Sequence, residues 1–444
     1  MPFSERRNHV VDEFSRLYRV IPFRRTLATF LTQLIEEGVS VRWILLSSVL
    51  ALVGIVGIYT AIPAWINVLL AGISVVLLVI EARNYRIERR RISFVRRPLD
   101  AFNDVKHSLT ADDRSRILVS NGQTFVHDLA VSHLINNSDL QASLLSVPYV
   151  LPAQLKAYGG RFRRERVSKD SAIFNGPVLG WASSVRDLPA EKRTVNLVAG
   201  TFFDKLSSDY FSAMDTRRDG SQTVIDGRRL FIDRNGSLRD FDESWLLNGI
   251  GVSTIAVTRD GMFVLTGQST RNVGEQGLLA PSGSGSLEPR DFGGRSTMSL
   301  VELAVTGANR ELEEEASVNS LDIESSHFLG FGRWLNKAAS PELFYATLLN
   351  VDSHELAIRK RRGGEGVYVD GNFCVRPAIS MKDWDESEPH SLLPAREQGR
   401  VSLPLGVCLG LLIHETRSPS TLLVSELRKR FSEPEPNFQV LQQL

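Results

Sequence analysis

Cysteine is almost missing from this chain: Cys374 and Cys408 are the two among 444 residues. With so few, a disulfide framework and a Cys-rich zinc module are ruled out, and a reducing compartment is the simpler setting. An excess of charge of either sign is missing as well, since 52 Lys and Arg stand against 51 Asp and Glu for a net charge of +1. That balance disfavours a basic nucleic-acid binder, so no nucleic-acid partner is expected. Internal repeats are lacking, and a content of 43% hydrophobic and 23% charged residues is ordinary for packed protein rather than for a disordered chain. At about 150 residues per domain the length supplies two or three folded units.

Charge is absent altogether from Trp43 to Ile80. Residues 43–62 (WILLSSVLALVGIVGIYTAI), as a helix rising about 1.5 Å per residue, are long enough to cross a hydrocarbon core of about 30 Å. Pro63 interrupts the run, and residues 64–80 (AWINVLLAGISVVLLVI) follow as a shorter second span. The expectation is a two-helix transmembrane hairpin over 43–81, preceded by a cytoplasmic N-terminal helical segment over 1–42. Arg83, Arg86, Arg89, Arg90, Arg91, Arg96 and Arg97 follow the second span, and Arg24, Arg25 and Arg42 precede the first. The positive-inside rule then puts both termini in the cytoplasm, giving a multi-pass protein of a bacterial inner membrane with the lipid bilayer as a partner. Ser47, Ala51, Gly54 and Ala61 share one face of the first helix, small enough for close approach and hence for a homo-oligomer.

Residues 82–245 read as a cytosolic linker and a mixed α/β module. Thr194 to Ala199 (TVNLVA) alternates as a strand does, and Asp226-Gly227 and Asn235-Gly236 are hairpin-turn signals. The run RFRRER, with Arg161, Arg163, Arg164 and Arg166, suits either a phosphate or a solvated charged loop.

The most informative segment is Glu302 to Val318, ELAVTGANRELEEEASV. On a helix, Glu311, Glu314 and Glu315 are three and four residues apart, so three carboxylates project from one face. Like charges at that spacing repel, and the compensation is either a divalent cation such as Mg²⁺ with Arg310 steadying one carboxylate, or plain solvent on a wet surface helix. Upstream, GVSTIAVTRDGMFVL (251–265) gives two strands about the turn signal Asp260-Gly261, followed by the small-residue loop LLAPSGSGSLEP (278–289). Downstream, Pro341 to Leu349 reads as a strand, and the apolar run Val401 to Ile413 as a late core strand.

This order of strand, hairpin, loop and acidic helix resembles a Nudix domain, covering 246–444. Glu302, Arg310, Glu311, Leu312, Glu314, Glu315 and Val318 stand at positions of the Nudix box, while Ser296 and Ser317 replace its leading and closing glycines. The resemblance implies an α+β chain in which the mixed α/β module precedes a mixed sheet between helices. It also implies a Mg²⁺ (or Mn²⁺) site held by Glu311, Glu314 and Glu315, with Arg310 orienting the acids and the four together as the catalytic set. Ser282, Gly283, Gly285 and Glu302 would contact the ligand; a separate general base is not identifiable, since Glu342, Glu365 and His327 read more readily as surface residues. The implied reaction is Mg-dependent hydrolysis of a nucleoside diphosphate derivative by a membrane-tethered pyrophosphohydrolase. With the spans, the ordering is similar to the transmembrane-Nudix effectors of bacterial CBASS antiphage systems, which implies a cyclic nucleotide ligand, functional association with a CD-NTase and disruption of the inner membrane. Cyclic dinucleotides lack a diphosphate bond, so recognition without hydrolysis is the other role open to the site.

Overall fold

The structure, a computed structural model, describes residues 65, 68–69, 72–77, 79–80, 83, 91–96, 105, 117–120, 123–137, 139–166, 175–185, 193–268, 277–359, 369–417 and 421–432. In chain order its elements are β1 (Ile92–Arg96), β2 (Ile117–Ser120), β3 (Gln123–His127), α1 (Leu129–Asn137), β4 (Gln141–Leu144), α2 (Ala153–Arg166), β5 (Pro177–Trp181), β6 (Thr194–Thr201) and α3 (Phe202–Lys205), which runs on as a π-helical turn over Leu206–Tyr210. Then come β7 (Met214–Arg218), β8 (Gln222–Ile225), β9 (Gly251–Val257), β10 (Phe263–Gln268), β11 (Leu279–Ala280), β12 (Gly283–Ser286), β13 (Thr297–Ser299) and α4 (Leu300–Glu315). After these, single helical turns aside, follow β14 (Ile323–Trp334), β15 (Ser340–Leu349), β16 (Val369–Val375), α5 (Leu403–Thr416) and α6 (Leu422–Phe431).

Strand β15 shows how the larger unit is layered. Every residue of its SPELFYATLL is buried. Leu343 and Tyr345 pack into one apolar cluster, and Phe344, Ala346 and Leu348 into another. A strand covered on both faces belongs in the middle of a sheet with helices on either side. The sheet order is β11-β10-β9-β15-β14-β3-β2, with β12 beside β9 and β16 beside β10, and β9 and β15 run parallel in register from Glu342 opposite Gly251. Helix α4 covers one face through Leu300, Leu303, Ala304 and Ala308, which pack with Val252, Phe331 and Tyr345; this three- and four-residue spacing is what makes the segment helical. The hairpin at Asp260-Gly261 joins β9 to β10, with Gly261 at φ 73°. A second sheet in the same unit, ordered β13-β4-β6-β5, pairs β4 and β6 in parallel.

The apolar run 401–413, expected as a strand, is helix α5. The Ser402 hydroxyl accepts the Leu405 N–H at 3.3 Å and Pro404 stands in the first turn, which is a helix start rather than a strand. The run is apolar on all sides, so the sequence carries no period to tell helix from strand. Its Leu405, Leu409 and Leu412 cover the sheet's other face with Ile255, Phe263 and Phe344.

The smaller unit contains β1, most of α2, β7 and β8. Its antiparallel sheet is ordered β1-β7-β8, and Phe94 meets Phe162 edge-on at 5.3 Å. The β7–β8 hairpin turns at Asp219 and Gly220, whose φ of 50° and 78° are both left-handed, so this Asp-Gly rather than Asp226-Gly227 is the hairpin turn of that stretch. The RFRRER run is helical, lying in α2, and the Arg161 guanidinium sits 5.8 Å from the Phe94 ring centre.

Among the described residues no helix is long and apolar enough to cross a membrane. That overturns the transmembrane hairpin of the expected fold class, and with it the multi-pass inner-membrane placement. The first expected span (43–62) and the segment 1–42 lie outside the described residues. Of the second, the described residues 65, 68–69, 72–77 and 79–80 are helical. An uncharged sequence supplies apolarity, but a crossing also needs unbroken helical length.

Candidate functional site

Strand β12 and the C-terminal half of α4 form the centre of the site. The stretch GSGS pairs antiparallel with β9, Gly283 opposite Thr254 and Ser286 opposite Gly251, so it is a strand and not the phosphate-approaching loop expected of it. Its glycines serve the helix. A Cβ on Gly285 would lie 2.1 Å from Glu311 Oε1, and one on Gly283 would lie 2.7 Å from the Leu312 backbone nitrogen. The absence of side chains there is what lets α4 bring its acids against the sheet. Ser282 is fully buried, its hydroxyl accepting the Ala256 N–H at 2.6 Å and donating to the Val264 carbonyl. Both hydroxyl bonds are therefore spent on the sheet.

Arg310 organises the acids. Its Nε donates to Asp291 Oδ1 at 2.8 Å, Nη1 to Glu311 Oε1 at 2.7 Å, and Nη2 to the Ser286 carbonyl at 2.9 Å and Asp291 Oδ2 at 3.1 Å. Glu314 lies 3.6 Å from the same guanidinium and accepts from Arg290 at 3.0 Å. Burial works against the Arg310 charge, but the Asp291 hydrogen bonds and the charges of Glu311, Asp291 and Glu288 outweigh it and raise its pKa. Burial dominates at Glu311 and pushes its carboxyl up to about 7 in spite of Arg310. Glu315 accepts the Ser284 N–H at 2.9 Å. Glu302 stands nine residues from Glu311, about 13 Å along the helix. There it is paired with Arg295 at 2.7 Å, apart from the other acids.

A resident divalent ion does not fit this arrangement. Arg310 and Arg290 engage Glu311 and Glu314, a backbone N–H holds Glu315, and among the described residues no group of three or more His, Cys, Asp or Glu side chains is placed to hold a metal. The sequence pattern assembles an acid cluster whose positive charge comes from arginine.

Further groups surround β12. Glu342, one of the three general-base candidates, is buried; its oxygens accept from Ser253 Oγ at 2.6 Å and from the Trp334 indole N–H. His327 shares a 2.9 Å hydrogen bond with Ser325, and burial lowers its pKa. Glu365 lies outside the described residues. Sequence reading missed Asp291, although Glu288 and Asp291 form a reciprocal cap that the Glu-Pro-Arg-Asp run foreshadows. It also missed Lys205, whose ammonium donates to Ser286 Oγ at 3.0 Å from more than eighty residues away.

The helix ends as the box would require, in a left-handed turn, but on serine: Ser317 has φ 57° and its buried hydroxyl has no hydrogen-bond partner among the described residues. A non-glycine residue there costs about 1 kcal/mol or more. Ser317→Gly should therefore raise the unfolding free energy by about 0.5 kcal/mol after the extra chain entropy of glycine is deducted, seen as a higher urea midpoint. A lower midpoint would show that the turn is not strained. No family model matches the chain, and no curated protein matches it.

Proposed function

We propose that the chain recognises a nucleotide through the Nudix-like half around α4 and β12, its ligand a cyclic nucleotide of a CBASS antiphage pathway supplied by a CD-NTase, and that it binds this ligand without hydrolysing it. The observation that carries the preference for binding is the state of the acids: Arg310 pairs with Glu311, Arg290 donates to Glu314 and the Ser284 N–H to Glu315, so each carboxylate already has a partner within the protein. No membrane step forms part of this reading. Titration calorimetry with cyclic dinucleotides of adenine and guanine should give saturable heats at the same affinity with EDTA as with Mg²⁺, and absence of heat across the panel would overturn it.

A second reading, a Mg-dependent pyrophosphohydrolase, draws on the spacing of Glu311, Glu314 and Glu315 on the last turns of α4. It expects release of phosphate or a nucleoside monophosphate from ADP-ribose or dinucleoside polyphosphates, abolished in Glu314→Gln/Glu315→Gln. We expect no turnover by the wild type; Mg²⁺-dependent cleavage would replace the first reading by the second.

A further inference from the structure

Lys205 ends α3 where the helix widens into the π-helical turn Leu206–Tyr210, a local geometry often found at functional sites. Its side chain is 6% exposed, and its stem lies across Gly249, where a Cβ would come 2.8 Å from Lys205 Cδ. Among the described residues the ammonium has one hydrogen-bond partner, Ser286 Oγ at 3.0 Å, and no ion pair. A buried ammonium with a single hydroxyl partner is costly unless something else receives its charge.

The surrounding acids are already engaged. Asp209 is fully buried, and its oxygens take the Gly249 N–H at 2.7 Å, the Asn248 N–H at 3.1 Å and the Ser208 hydroxyl at 3.0 Å. Burial raises its pKa against those bonds, which favours the neutral form. Glu342 is held by Ser253 and Trp334, and Glu311 by Arg310. A second cation adds to the first: Lys337 stands 5.0 Å from the Trp334 ring centre and 5.9 Å from that of Tyr210. Burial, and next the charge of Lys337, bring the Lys205 pKa down to about 8, against Asp209, Glu342 and Glu311 acting in the other direction. Ser284, Gly285, Ser286, Tyr210 and Lys337 are half-buried and give the region a solvent-facing side. An ammonium donating to the Ser286 hydroxyl, with a second ammonium near enough for its charge to be felt and the nearby carboxylates engaged elsewhere, is the chemistry that receives a phosphate.

We propose that Lys205, with Lys337 and the Ser286 hydroxyl, is a binding subsite for one phosphate group of the nucleotide ligand, an assignment that rests on the nucleotide-recognition reading above. The test uses the full chain, inorganic pyrophosphate and the same cyclic dinucleotides, with thermal unfolding to verify that each variant folds. Lys205→Met should weaken pyrophosphate and nucleotide binding by about ten- to a hundredfold, the size of one charge-assisted hydrogen bond to a phosphate, and Lys337→Met by a smaller factor. Wild-type affinity should fall as pH rises through 8, and that dependence should vanish in Lys205→Met.

Pyrophosphate binding that depends on Lys205 without any nucleotide binding would uphold the subsite and overturn nucleotide recognition. Nucleotide binding unaffected by Lys205→Met would do the reverse. A wild type that binds neither probe overturns both.

Discussion

Replacing Arg310 by Met should lower the unfolding free energy by about 3–5 kcal/mol at pH 7.5, the usual cost of removing one partner from a buried ion pair. The cost arises from what is left behind. The Arg310 side chain is 12% exposed, that of Asp291 2% and that of Glu311 10%, so the abandoned carboxylates cannot recover their hydration in place. The Ser286 carbonyl, which accepts from Nη2 at 2.9 Å, loses that partner as well. The loss should depend on pH. Glu311 is held up to about 7 even with Arg310 beside it, and without the arginine its carboxyl would take up a proton at higher pH still. Acid therefore relieves the variant. The deficit should shrink as pH falls from about 9 and level off below about 7, where Glu311 is neutral in both proteins and no longer needs the guanidinium. Urea unfolding of both proteins across that range measures it. A loss under about 1 kcal/mol at pH 7.5 would mean that the cluster is hydrated and behaves as a surface network.

Different kinds of signal account for what the sequence disclosed and what it hid. The Asp260-Gly261 turn and strand β15 were legible because a left-handed turn and an unbroken apolar run are local properties. Helix α4 was legible from its three- and four-residue spacing, and the left-handed turn at Ser317 from the closing glycine position that the Nudix resemblance implies. The spans were over-read. Freedom from charge over residues 43–80 is a composition, whereas crossing a bilayer is a length of continuous helix, which no described helix has. Strand β12 reads as a loop in sequence because glycine signals conformational freedom; in the fold its glycines give closeness, dictated by a helix that arrives later in the chain. Glu311, Glu314 and Glu315 do share the end of α4, yet their ends go to different partners, Arg310, Arg290 and Ser284, two of which belong to other elements. Side-chain spacing fixes where the acids start and says nothing of what meets them.

Lys205 had no local signal, and it is also the place where stability and the proposed function should oppose each other. Lys205→Met keeps most of the volume of the buried stem and removes the charge. Because the pKa falls from 10.5 to about 8 in the folded protein, the charged form is penalised there by about 3 kcal/mol at 1.36 kcal/mol per unit. Losing the hydrogen bond to Ser286 costs about 1 kcal/mol. The half-buried Ser286 can turn to solvent, so the variant should be more stable than the wild type by about 2 kcal/mol at pH 7. The sign of the pH dependence follows from a lowered pKa. The folded state binds fewer protons than the unfolded one, so the wild-type penalty is complete below about 8, shrinks as pH rises, and is gone above 10.5. The advantage of the variant should accordingly fade between pH 8 and 10.5 in paired urea titrations, where the other titrating groups are common to both proteins and cancel. A protein that becomes more stable on losing this lysine, while its affinity for pyrophosphate falls, would hold a charge that is unfavourable for folding and useful for the ligand. Equal or lower stability of Lys205→Met at pH 7 would instead mark the ammonium as satisfied within the fold.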